Sequence, residues 1–209
     1  MKVLTYPWGI LMANCYLIVD AISDRCVVID PAAPPDAVFA GFEKLPHVSH
    51  ILLTHCHFDH MTYLAEWKRR TGAPVVIGRM DAPGLQDPLL NLTDYFRQPM
   101  REEYPQADIC LSDGETLGEG KLKLTAVSTP GHTAGSLCYY APGVLFSGDT
   151  IFADGGTGRT DFPSGDSRAL CDSVRRLMAL PPDTIVYPGH GNATTIEMEQ
   201  LHNAYQTGE

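Results

Sequence analysis

Apolar and polar positions along this chain follow two periods, one of strands and one of helices, and the switches between them outline the fold. Residues 13–19 and 25–29 are apolar, β-branched runs separated by Asp20 to Asp24, which predicts a hairpin. Asp30-Pro31 ends the second run, and Pro35-Asp36 opens an amphipathic stretch to Leu45, Pro and Asp both suiting the first turn of a helix. Val48 to Leu53 reads as a short buried strand. From His60 to about Thr71, Met61, Leu64, Ala65 and Lys68 follow helical spacing, closed by Gly72. A strand follows at Pro74 to Ile77.

Residues 81–108 lose periodicity and carry several prolines among Leu89, Leu90, Tyr95, Phe96, Met100 and Tyr104. A stretch of this length without regular elements predicts either a lid or an irregular cover packing its aromatics on the core. Strand signals return at Lys121 to Leu124, Ser136 to Tyr140 and Val144 to Phe146. Residues 166–179 read as a helix with Leu170, Val174, Leu177 and Met178 on one face, followed by a strand at Thr184 to Tyr187 and a helix from Thr194 to about Tyr205. This is an α/β pattern with too many hairpin-like strands for a simple doubly wound sheet.

Composition narrows the function classes. The chain has 209 residues, 44% hydrophobic and 19% charged, which suits one globular domain over 1–209 with a sizeable core. Twenty-five acidic against fifteen basic side chains give a net charge of −10. Lys68-Arg69-Arg70 and Arg175-Arg176 lie in amphipathic segments, so no nucleic-acid partner is expected. The apolar stretch Trp8 to Val19 is broken by Asn14 and followed by Asp20 with no small-x-small site, so it reads as buried strand, not secretion signal. No run is long enough to span a membrane, and a cytoplasmic location is expected. Six scattered cysteines without a C-x-x-C pair read as buried thiols, Cys56 included.

The chemistry concentrates in Thr54-His55-Cys56-His57-Phe58-Asp59-His60, where a buried strand runs out and a helix begins. His55 and His57, two apart at a strand end, can converge on one ion, while Asp59 and His60 beyond the turn can address a second. Imidazole and carboxylate donors together suit zinc, iron or manganese. Three more positions place a polar donor on a glycine-containing turn just after an apolar strand: His132 in Pro130-Gly131-His132-Thr133, Asp149 in Ser147-Gly148-Asp149, and His190 in Pro188-Gly189-His190-Gly191. Glycine lets the backbone approach closely and aim such a side chain into a shared site.

In this order and context, His55, His57, Asp59, His60, His132, Asp149 and His190 resemble the metallo-β-lactamase fold superfamily, and within it the glyoxalase II-like (hydroxyacylglutathione hydrolase-like) thioester hydrolases. The resemblance runs from Asn14-Cys15-Tyr16 to Thr194-Thr195. It implies an αββα sandwich of two mixed β-sheets flanked by helices, with two divalent metal ions at one edge, zinc first and iron or manganese as alternatives. His55, His57 and His132 would hold one ion and Asp59, His60 and His190 the other, with Asp149 bridging and Asp59 also catalytic, holding the nucleophile. Asp30 would sit behind the ligands and orient them.

Arg159, in Gly156-Thr157-Gly158-Arg159-Thr160-Asp161-Phe162, matches a basic position that contacts glutathione in glyoxalase II enzymes. Equally, it can pair with Asp161 or Asp166 and hold its loop. No counterpart of the helical domain that longer glyoxalase II enzymes append is expected in the residues after His190. The implied activity is hydrolysis of a small-molecule thioester, with glutathione as one candidate thiol carrier. The alternatives are a persulfide dioxygenase using one iron on His55, His132 and Asp149, and a lactonase, β-lactamase or other metallo-hydrolase. No separate general acid is expected, because a thiolate departs with little or no protonation.

Overall fold

In the computed structural model, residues 1–20, 22–98 and 103–203 are described. The first sheet is built from β1 (Lys2–Trp8), β2 (Ala13–Asp20), β3 (Arg25–Ile29), β4 (His47–Leu52), β5 (Val75–Gly78) and β6 (Ile109–Leu111), in that order. The second carries β7 (Thr116–Leu117), β8 (Leu124–Ser128), β9 (Leu137–Ala141), β10 (Val144–Gly148), β11 (Ile185–Pro188) and β12 (Thr194–Thr195), also in sequence order. Both sheets are mixed. β1 to β3 pair antiparallel and β3 to β6 parallel, while in the second sheet only β10 and β11 pair parallel. Helices α1 (Pro35–Phe39), α2 (Leu64–Thr71), α3 (Ser167–Leu177) and α4 (Ile196–His202) complete the framework.

The side-chain period of two explains the layers. Along β2 and β3, Tyr16, Ile18, Val27 and Ile29 face Leu124, Leu137, Tyr139 and Phe146 of the other sheet, all in one buried cluster. Their neighbours Cys15, Leu17, Cys26 and Val28 point the other way, packing with Val38 and Phe39 of α1 and Leu64 and Trp67 of α2. Across the molecule, Cys138, Leu145 and Val186 pack with Leu170, Val174 and Leu177 of α3 and Ile196 of α4. Strands buried on both faces read as continuous apolar runs, which is why the central ones were visible in the sequence. The result is the expected αββα sandwich. No helix among the described residues is long and apolar enough to cross a membrane.

Several boundaries differ from expectation. α1 stops at Phe39 and does not reach Leu45, and His60 to Tyr63 form turns before α2 starts at Leu64. The strand expected at Lys121 to Leu124 lies at Leu124–Ser128, because residues 120–122 form a 3-10 turn. Thr194–Thr195 is a short strand, and the Thr195 hydroxyl then caps α4 by accepting from the Met198 N–H. The expected end of that helix at Tyr205 lies outside the described residues, as do positions 99–102 of the 81–108 segment. The described part of that segment holds a 3-10 turn at Ala82–Leu85 and a run of turns.

Candidate metal centre

Topology gathers the chemistry at one edge. Asp30 follows β3 and the 55–60 loop follows β4, and these strands run parallel. His132 follows β8, Asp149 follows β10 and His190 follows β11. β8 and β10 are both antiparallel to β9 and β11 is parallel to β10, so all three run the same way. The loops are then stitched together: the Leu137 N–H donates to Thr54 O (2.8 Å), the Gly189 N–H to Gly148 O (2.8 Å), and the Asn14 N–H to Gly189 O (2.7 Å).

The seven sequence-predicted donors converge. The ligand atoms of His55, His57 and His132 lie within 4.8 Å of one another, as do those of His55, His60 and Asp149, and those of Asp59, His60 and His190. His132 Nε2 stands 2.9 Å from His57 Nδ1, and His60 Nε2 stands 3.2 Å from His190 Nε2. Asp149 lies 3.3 Å from His60 and 3.5 Å from both His132 and His190, and Asp59 lies 3.3 Å from His190.

The outer nitrogens of these rings set which inner ones carry lone pairs. His132 Nδ1–H donates to the Arg159 carbonyl (2.7 Å), His190 Nδ1–H to the Leu11 carbonyl (2.9 Å), and His60 Nδ1–H to Asp30 Oδ2 (2.9 Å). With Nδ1–H so committed, each ring in its neutral form presents a bare Nε2 to the shared space, the form in which imidazole binds metal. Asp30, 1% exposed, also accepts from the Thr54 N–H and hydroxyl (2.8 and 2.7 Å), so it ties His60 to the strand end that carries His55.

A site of this kind fits a divalent metal on its own geometry. His55 Nε2, His57 Nε2 and Asp149 Oδ1 are buried without a hydrogen-bond partner. Converging lone pairs and an unsatisfied buried carboxylate oxygen are unfavourable unless a cation serves them. Proton affinities divide the cluster in two. Burial, with the neighbouring imidazoles, holds His55 well below the usual histidine range and pushes His57 down to about 3. Burial also opposes charge on His60 and His190, but the carboxylates outweigh it: Asp149, Asp59 and Asp30 raise His60 well above normal, and Asp149 and Asp59 raise His190 to about 10. Conversely, His60 and His190 hold Asp149 well below the carboxylate range against the effect of burial.

Glycine is required at two of the turns. A Cβ on Gly189 would run into Asp149 Oδ1 and His60 Cε1, and one on Gly158 would run into the Asp149 carbonyl and the His132 ring. Above the donors opens a cavity of 430 Å³ lined by Leu11, His57, Phe58, Asp59, Leu92, Phe96, His132, Asp149, Phe152, Thr157, Gly158, Arg159, Phe162 and His190. Arg159 lies at this cavity with its guanidinium paired to Asp161 (2.8 and 2.6 Å).

Two further residues have supporting roles that the sequence did not assign. Asp81 is 3% exposed and accepts from the Cys56 N–H (3.1 Å), the Thr133 hydroxyl (2.7 Å) and the Gly135 N–H (2.7 Å), clamping the loop of His55 and His57 to the loop of His132. Asn14 donates through Nδ2 to the carbonyls of Pro188 (3.0 Å) and Gly191 (2.9 Å), bracing both sides of His190. Neither role carries a local signal, since the partners lie far away in sequence.

Comparison with known proteins agrees with the geometry. A probable metallo-hydrolase of Bacillus subtilis (strain 168), YqgX, is 34% identical over 212 residues covering 100% of this chain and 99% of its own. The crystal structure of the BLEG-1 B3 metallo-beta-lactamase superimposes with a TM-score of 0.91 at 32% identity, covering 99% of this chain and 100% of that one. TTHA1623 in a di-iron-bound form gives 0.85 at 32% identity, covering 97% and 100%. The sequence profile of the metallo-beta-lactamase superfamily matches residues 8–190, a span holding every converging donor described above, and the chain therefore belongs to that superfamily.

Proposed function

We propose that this protein is a metal-dependent hydrolase that cleaves a thioester. His55, His57 and His132 would hold one divalent cation and Asp59, His60 and His190 a second, with Asp149 between them. Bound there, the cations supply Lewis acidity towards the carbonyl and lower the pKa of water towards neutrality. Zinc suits the nitrogen-rich donor set, and the di-iron-bound relative supports iron as another occupant.

The chain's own residues do the rest. Asp59 lines the cavity and has a carboxylate oxygen 3.3 Å from His190, where it can accept a hydrogen bond from the attacking water and hold it in line. Phe58, Phe96, Phe152 and Phe162 wall the cavity and limit the access of bulk water, which strengthens every polar interaction within.

One observation carries the choice of a thioester. Apart from the candidate ligands, the proton donors lining the cavity among the described residues are Thr157 and Arg159, and neither has a pKa suited to general-acid catalysis at neutral pH. This favours a leaving group that departs with little or no protonation. A thiolate, of parent pKa near 8.5, does so far more readily than an alkoxide or amine.

A second reading, opening of a β-lactam ring, is favoured by the likeness to BLEG-1. The test is to follow thiol release from S-lactoylglutathione and simple thioesters beside ring opening of a chromogenic β-lactam, with oxygen uptake on glutathione persulfide as a third arm. Thioester cleavage that dominates, and is lost in Asp59→Asn, is expected. β-Lactam turnover alone, or oxygen consumption, would overturn the assignment.

A further inference from the structure

The cavity over the donors is lined on two sides by apolar side chains. On the His57 side, Phe58, Phe96 and Phe162 form a chain of ring contacts, Phe58 to Phe96 at 5.5 Å and Phe96 to Phe162 at 5.8 Å, with Tyr95 at 5.2 Å from Phe162 extending it outward. Phe162 also meets the His57 ring edge-on at 6.0 Å, so this wall begins directly beside a candidate ligand. On the His190 side, Phe152 stands 6.0 Å from the His190 ring, and Leu11 lies next to it through its carbonyl. A carbonyl compound seated over the donors would have rings flanking its reacting carbon.

The cavity's charge points the same way. Arg159 is the one cationic side chain of Lys or Arg type lining it among the described residues. Its guanidinium is engaged twice: both Asp161 oxygens accept from it, and it lies 4.2 Å above the Phe162 ring. A substrate carboxylate meeting the remaining guanidinium N–H groups would approach the Asp161 charge, on a chain of net charge −10. The pair instead buttresses Phe162 from outside. Because a cation over a ring face is attracted by the ring's quadrupole, the Asp161–Arg159–Phe162 stack favours this orientation of the ring at the cavity's edge.

From these walls we infer that the substrate carries an uncharged aryl or branched alkyl group on its scissile carbonyl, packed against Phe58, Phe96 and Phe162, and that Arg159 positions this wall instead of binding a substrate carboxylate. This rests on the thioester reading for the bond that is cleaved. The apolar subsite stands on the wall residues alone.

The test uses two thioesters of the neutral thiol N-acetylcysteamine, acetyl and phenylacetyl, together with S-lactoylglutathione. In the metal-loaded protein, kcat/KM for the phenylacetyl ester should exceed that for the acetyl ester at least about tenfold, the discrimination an apolar pocket gives for added apolar bulk. Phe162→Ala and, separately, the more exposed Phe96→Ala should each reduce that ratio several-fold. Independently of turnover, the phenylacetyl ketone with CH2 in place of sulfur should bind the chelator-treated protein with a negative heat-capacity change that Phe162→Ala diminishes. Equal kcat/KM for the two acyl groups, preference for S-lactoylglutathione over both, or ketone binding indifferent to both substitutions would overturn the inference. Ketone binding that depends on the wall, with no thioester cleaved, would uphold the subsite and refute the thioester reading.

Discussion

Replacing Asp81 tests whether the donor loops are held together from behind. Its carboxylate is buried and accepts three hydrogen bonds, from the Cys56 and Gly135 N–H groups and the Thr133 hydroxyl. In Asp81→Asn one oxygen keeps its donors while the amide NH2 faces another donor, so at least one charge-assisted bond is lost, about 1.5–3 kcal/mol. The buried N–H left facing it adds about 1–3 kcal/mol. Against this, burial pushes the Asp81 carboxyl pKa up, so removing the charge returns part of the loss. A net destabilisation of about 2–3 kcal/mol follows, which for a chain of this size lowers Tm by about 4–12 °C. Because the clamp joins the loop of His55 and His57 to that of His132, cation affinity should also fall, by about 10- to 100-fold. Thermal unfolding of chelator-treated protein, and competition with a chromogenic chelator for added cation, measure the two effects. An unchanged Tm with unchanged cation affinity would refute the role of Asp81 as a clamp.

Two further predictions use the same site. In the chelator-treated protein, His57 is held near pKa 3, below its unfolded value of 6.5, so its contribution to stability is lost as pH falls from about 6.5 towards 3. His190 is held near 10, above 6.5, so its contribution is full below 6.5 and lost as pH rises through 10. As far as these two groups set it, Tm should be highest near pH 6–7 and fall on both sides in a differential scanning fluorimetry series. Gly189→Ala places a methyl against Asp149 and His60 and should destabilise by about 1–3 kcal/mol while weakening cation binding, whereas Gly41→Ala, with open space around it, should do neither. Parallel melts and cation titrations of the two variants check this.

What could be read from the chain follows physical lines. The central strands were visible because most of their positions are buried on both faces, so residues 13–19, 25–29 and 48–53 are predominantly apolar, interrupted only by Asn14, Arg25, Ser49 and His50. The donors His55, His57, Asp59 and His60 were visible because one loop carries them, and His132, Asp149 and His190 because glycine turns follow apolar strands. β1 was not, because Lys2–Trp8 is an edge strand paired on one side only, partly exposed and containing Pro7. β6, β7 and β12 are too short to show a period. Asp81 was hidden because its partners are 25, 52 and 54 residues away, a distance at which no local pattern survives. The orientation of His132 and His190 was equally hidden, since it depends on the backbone carbonyls of Arg159 and Leu11, to which any residue type could contribute.

The converging donors are arranged to hold two cations, and elemental analysis tests that most directly. Protein purified without chelators or an immobilised-metal column should carry about two equivalents of zinc, iron or manganese per chain, and His190→Ala should fall to about one. A fully active protein with a single iron, unchanged by His190→Ala, would contradict the two-cation site and make the one-iron dioxygenase chemistry of His55, His132 and Asp149 the better description.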